Sequence, residues 1–193
     1  MSTDLDLVER FQKGDENAFE ELVKRHRTKV FNMVKQIVRG NAAEADDLSQ
    51  EVFLHVYRGL KKFQKQASFT TWLYRITANC CHDHLRGLSR KPLSYLEDIP
   101  VWQGEMAVTG TGHNVNPEQE AEKAELKWHL KQALADLPVP YRTALVLYAW
   151  HGMTYKEISE IMKCPIGTVM SRLNFARKKI RAFMEYAMRE DSK

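Results

Sequence analysis

Cysteine is scarce in this chain and poorly placed for bridging. The 193 residues hold three, Cys80, Cys81 and Cys164, two of them adjacent. Such a set is a poor disulfide framework and suits a reducing compartment. No apolar run approaches the roughly 20 residues needed to cross a bilayer, so direct membrane insertion is not expected. The opening stretch, MSTDLDLVERFQKGDE, is acidic and amphipathic and lacks the apolar core of a signal peptide. These absences together point to the cytoplasm. The marks of catalysis are missing too: there is no G-x-x-x-x-G-K-[ST], no G-x-S-x-G and no H-E-x-x-H. Carboxylates are plentiful but fall on the solvated faces of predicted helices, so no pair stands out as acid and base. An enzyme is not expected. Period-two alternation is absent as well, which leaves an all-α fold.

Proline and glycine are sparse except in one segment. Residues 91–117 hold Pro92, Pro100, Gly104, Gly110, Gly112 and Pro117 around TGTGHNVN, with no helical or strand period. This segment reads as a flexible linker, too long for an internal loop of a compact domain. It divides the chain into two small helical domains, 1–90 and 118–193. In the first, Leu5, Val8 and Phe11 start a helix that stops near Gly14. Asp15 caps a long second helix with the stripe Phe19, Leu22, Val23, His26, Val30, Val34 and Ile37, ending at Gly40. Asn41 opens a third helix, with Leu48, Val52, Val56 and Leu60 on one face. Ser68 opens a fourth, with Phe69, Trp72, Leu73, Ile76, Cys80 and Leu85. The second domain reads as helices near 118–136, 139–150, 154–162 and 166–187.

The last two helices carry the strongest signal. Thr154, with Glu157 three residues on, is a capping box. Lys163-Cys164 closes the short helix, and Pro165 fits the first turn of the next. Val169, Leu173, Ala176, Ile180 and Phe183 then form a buried stripe. The opposite face holds Ser171, Asn174, Phe175 and Lys178, flanked by Arg172, Arg177 and Lys179. From Pro165 to Phe183 there are five cations and no acid. Two helices joined by a tight turn, the second cationic on its free face, fit a helix-turn-helix in the major groove of DNA. The net charge of the chain is only +4, so the local distribution is what argues for nucleic acid. The plainer alternative is a solvated basic helix.

Three other groups of residues compete for a role. The third helix is acidic in its first half, with Glu44, Asp46, Asp47 and Glu51, and turns basic at Arg58, Lys61 and Lys62. This pattern suits either the helix macrodipole or a protein-docking face. Tyr57, Phe63, Phe69, Trp72 and Tyr74 lie among Lys61, Lys62, Lys65 and Arg75, the ingredients of single-strand binding. Helical spacing puts Phe69 and Trp72 on the core side. Phe63, in the polar loop FQKQAS, has little core to enter and is the better candidate for a base contact. Cys80, Cys81, His82, Asp83 and His84 resemble metal ligands in order only. Cys80 falls on the apolar stripe, and no second ligand pair has zinc-site spacing. No metal is expected.

Four segments in this order, DDLSQEVF (46–53), FTTWLYRITAN (69–79), LPVPYRTALVL (137–147) and YKEISEIMKCPIGTVMSRLNFARKKI (155–180), resemble the extracytoplasmic-function sigma factors of bacterial RNA polymerase. The resemblance implies a promoter-specificity subunit that binds core polymerase and promoter DNA, assists strand opening and serves a stress response. It implies no cofactor. Its implied regulator is an anti-sigma factor, membrane-anchored or not. By the resemblance, Asp47, Gln50 and Glu51 dock on the polymerase clamp helices. Lys61, Lys62, Phe63, Trp72, Tyr74 and Asn79 capture the unpaired downstream element. Thr168, Ser171, Arg172, Asn174, Phe175, Arg177 and Lys178 read the upstream element. Family members commonly carry Arg or Lys where this chain has Met170, and Met cannot make a bidentate bond to guanine. Two rivals remain: a regulator that binds only duplex DNA and recruits polymerase, and a metal or redox sensor built around Cys80–His84.

Overall fold

The computed structural model describes residues 2–89, 126, 128–130 and 132–190, and among them there is no strand. The helices are α1 (Asp4–Gln12), α2 (Glu16–Val38), α3 (Ala42–Leu60), α4 (Phe69–Ser89), α5 (Val139–Ala149), α6 (Tyr155–Met162) and α7 (Ile166–Glu190). Residues 128–130 and 132–135 are helical as well and lead into α5. The linker expected at 91–117, and the start of the helix expected at 118–136, lie outside the described residues.

Local chemistry sets most helix starts. Thr3 and Asp6 form a capping box on α1, Asp15 accepts from the Asn17 amide, and Asn41 Oδ1 accepts from Glu44 N at 2.8 Å. Ser68 Oγ accepts from Thr71 N at 3.0 Å at the start of α4. Each satisfies an amide that the first helical turn leaves without a partner. The register of α1 differs from expectation: Leu5 is exposed and Leu7 is buried with Val8 and Phe11. Leu7 and Phe11 are four residues apart, about 40° on the helical wheel, whereas Leu5 lies about 120° from Phe11.

The first core gathers Leu7 and Phe11 of α1, Leu22, Val30 and Ile37 of α2, Leu48, Val52, Val56 and Leu60 of α3, and Leu73 of α4. In the second half, α5, α6 and α7 pack through Leu145, Leu147, Ile158, Ile161, Val169, Leu173 and Ala176. The halves also meet, with α2 against α5 and α4 against α6. Arg39 Nη1 donates to Ala135 O at 2.6 Å, His82 Nε2 lies 3.0 Å from Thr143 Oγ1, and the Tyr74 hydroxyl lies 3.1 Å from His151 Nδ1.

Candidate nucleic-acid and polymerase interfaces

The α6–α7 unit has the geometry of a helix-turn-helix. Glu157 Oε2 accepts from Thr154 N at 2.9 Å while Thr154 Oγ1 accepts from Glu157 N at 3.3 Å; the bonds that the Thr154 amide and hydroxyl donate to Oε2 hold the Glu157 carboxyl below its ordinary pKa. Lys163 ends α6 in the left-handed region at φ 48°. The Cys164 amide returns to Ser159 O at 3.1 Å, and Ser159 Oγ donates to Cys164 O at 2.6 Å. Pro165 follows, and its carbonyl accepts from the Thr168 and Val169 amides.

On α7, Val169, Leu173 and Ala176 are fully buried, with Ile180 and Phe183 half-buried behind them. Ser171, Asn174, Phe175, Arg177 and Lys178 are exposed and Thr168 is half-buried. Two of the expected contact residues are occupied by the protein itself. Phe175 packs against Tyr141 with ring centroids 4.5 Å apart and the rings tilted by 47°, and the Arg177 guanidinium lies 5.1 Å from the Tyr148 ring centroid. Arg172 does not stand out from the free face. It is half-buried, and its Nη1 points back to Cys164 Sγ at 3.5 Å and Met162 Sδ at 3.9 Å. A long side chain on a helix covers the turn N-terminal to its own Cα, and here that is the α6–α7 corner. Sequence spacing alone gave no sign of that corner's sulfur acceptors.

The single-strand residues are not all brought together. Lys61 and Lys62 are exposed, as is Asn79; Trp72 is half-buried. Phe63, expected to project from its loop, is buried at 8% exposure, with its ring centroid 5.0 Å from Trp72 and 6.4 Å from Phe69. The cause is a long-range clamp: Gln12 Nε2 donates to both Leu60 O and Phe63 O at 3.0 Å. This draws the loop onto α1 and turns the ring inward. Tyr74 is 2% exposed, and the His151 ring covers it edge-on at 4.8 Å. Trp72 and Tyr74 are two residues apart on one helix, about 200° around it, so they line different surfaces.

The residues expected to dock polymerase lie together on the surface. Asp47, Gln50 and Glu51 are exposed on one side of α3. Glu44 is half-buried and engaged by His84 Nε2 at 2.7 Å. Leu54, 57% exposed, continues the same face. Sequence reasoning passed over it, although a leucine about 180° from the Leu48–Leu60 stripe was the available signal.

At the Cys80–His84 run, Cys81 rather than Cys80 is the fully buried thiol, because α6 covers a second side of α4. Burial pushes the Cys80 thiol up to about 11 and that of Cys81 higher still. His82 turns to Thr143 and His84 to Glu44. Among the described residues, no three His, Cys, Asp or Glu side chains converge on a point where a metal could sit. No described helix is long and apolar enough to cross a membrane.

Two family models match: Sigma-70 region 2 over residues 22–91 and Sigma-70 region 4 over residues 129–180. The RNA polymerase sigma-H factor of Pseudomonas aeruginosa is 36% identical over 190 residues, covering 97% of this chain and 96% of its own. The ECF RNA polymerase sigma-E factor of Haemophilus influenzae is 38% identical over 180 residues, covering 92% and 93%. The chain belongs to the extracytoplasmic-function sigma factors. A sigma factor is a promoter-specificity subunit of RNA polymerase and not an enzyme, and α2–α4 and α5–α7 are its region 2 and region 4 bodies. Its fold is shared by the sigma factor RpoE of Bartonella quintana, solved in complex with the anti-sigma factor NepR, with a TM-score of 0.65, 19% identity, and coverage of 86% of this chain and 96% of that one.

Proposed function

We propose that this sigma factor divides its work among three surfaces. The α3 face of Asp47, Gln50, Glu51 and Leu54 docks core polymerase. Lys61, Lys62, Trp72 and Asn79 hold the melted downstream element, with the Phe63 ring supporting Trp72 from behind. Tyr74 joins that set only when the His151 contact opens. On α7, Ser171 and Asn174 enter the major groove of the upstream element, and Lys178 meets a phosphate at its edge. Thr168, Phe175 and the edge cations Arg172 and Arg177 border it. The working domains are 1–90 and 118–193, joined by 91–117. The partner that silences it is an anti-sigma factor, as for the Bartonella neighbour, and its place of action is the cytoplasm.

The observation that carries this reading is the free face of α7, cationic and polar and backed by a complete apolar stripe. The region 2 match over residues 22–91 weighs against a regulator confined to duplex DNA. The separate partners of His82 and His84 weigh against a metal sensor. The test is transcription by core polymerase plus the full chain on a pool of genomic fragments. Initiation at a shared promoter sequence is expected. Start sites unchanged from those of core polymerase alone would overturn the reading.

A further inference from the structure

We infer that the upstream element of this sigma factor contains a thymine and an adenine within about two base pairs of each other, the thymine read by Met170 and the adenine by Asn174. The inference rests on the reading of α7 as the duplex-reading helix and specifies what that helix selects. Met170 is 53% exposed and Asn174 is also exposed. They are four residues apart on one ridge, about 6 Å along the helix, comparable to two base-pair steps of roughly 3.4 Å. The Asn174 side-chain amide makes no hydrogen bond to any other described residue.

Guanine is commonly read by a bidentate Arg or Lys in the major groove. Both arginines of this part of α7 are held elsewhere: Arg172 on the sulfurs of Cys164 and Met162, Arg177 over the Tyr148 ring. With Lys178, one turn further on, assigned to a phosphate, what remains on the ridge is an amide and a thioether. An amide matches adenine, donating to N7 while accepting from the N6 amine, and an apolar side chain matches the C5 methyl of thymine. Ile166, 45% exposed at the first turn of α7, enlarges the apolar surface beside Met170.

The experiment uses holoenzyme made from the full chain and core polymerase. Promoter selection from a randomised pool first defines the upstream element. Each thymine is then replaced by uracil, which removes only the methyl group, and each adenine by 7-deazaadenine, which removes only N7. One uracil position is expected to weaken promoter binding by the unaltered holoenzyme and to have no effect with Met170→Ala. One 7-deazaadenine position within two base pairs is expected to cost roughly five-fold or more and to have no effect with Asn174→Ala. Met170→Arg is expected to move the preference at the uracil-sensitive base pair toward guanine. A selected element indifferent to every uracil and 7-deazaadenine overturns the inference and leaves the role of α7 intact. Selection of no upstream element at all overturns both together.

Discussion

Phe63 separates a structural role from a base-binding one. Its ring is buried against Phe69 and Trp72, so Phe63→Ala is expected to cost about 3 kcal/mol or more, read as a lower urea midpoint. Lys62→Ala, at an exposed position, should change stability by under about 0.5 kcal/mol while slowing promoter opening, read by permanganate footprinting. Equal stability of Phe63→Ala and the unaltered chain would return the ring to the solvent-facing role that FQKQAS suggested. The sequence misled at this residue for a physical reason. The loop is polar on both sides of Phe63, and the group that pulls it inward, Gln12, lies 51 positions away. Tyr74 was misplaced for a related reason, since the ring that covers it belongs to the other half of the chain.

Helices were far more legible than loops, because the groups that start and stop them are local. Thr154, Asp15, Asn41 and Ser68 each announced a helix start, and each bonds an amide two or three residues on. Removing the α6 cap with Thr154→Ala is expected to cost about 1 kcal/mol, measured by thermal or urea unfolding. The corner that follows is strained by design: Lys163 holds φ 48°, a region where glycine is at ease. Lys163→Gly is therefore expected to be neutral or slightly stabilising, and Lys163→Val destabilising, by the same measurement. On α7 the exposed Lys178 is placed to meet a phosphate. Lys178→Ala should weaken binding to all duplex sequences alike and reduce the slope of log affinity against log salt by about one unit. A loss confined to one promoter sequence would instead make Lys178 a base reader.

At the scale of the whole molecule the sequence showed two bodies but not their docking, which depends on pairs such as Arg39 with Ala135 and Tyr74 with His151. Such pairs leave no periodic trace. They do leave a pH signature. His151 faces Lys29, Asn32, Gln36, Tyr74 and Trp150, and burial, with Lys29 adding to it, lowers its pKa from 6.5 to about 4. A base whose pKa falls on docking supports the docked state fully above the free value and loses that support as protons are taken up below it. The docked arrangement should thus be strongest above about pH 6.5 and weaken progressively toward pH 4. Energy transfer between labels on α1 and α7 would follow it, and His151→Gln should reduce the pH dependence, with the buried His82 at Thr143, whose pKa is also lowered, supplying the rest.

The bonds that join the halves link residues 61, 77 and 96 positions apart. The intervening chain therefore acts as a tether that fixes each half's local concentration around the other, up to the millimolar order for a short one. Lengthening such a tether changes the closure cost only logarithmically. Cutting it is a different matter. A single proteolytic nick between residues 91 and 117 turns docking from a unimolecular event into a bimolecular one. An interface that is closed in the intact chain at any dilution would then open wherever the two pieces fall below their own dissociation constant.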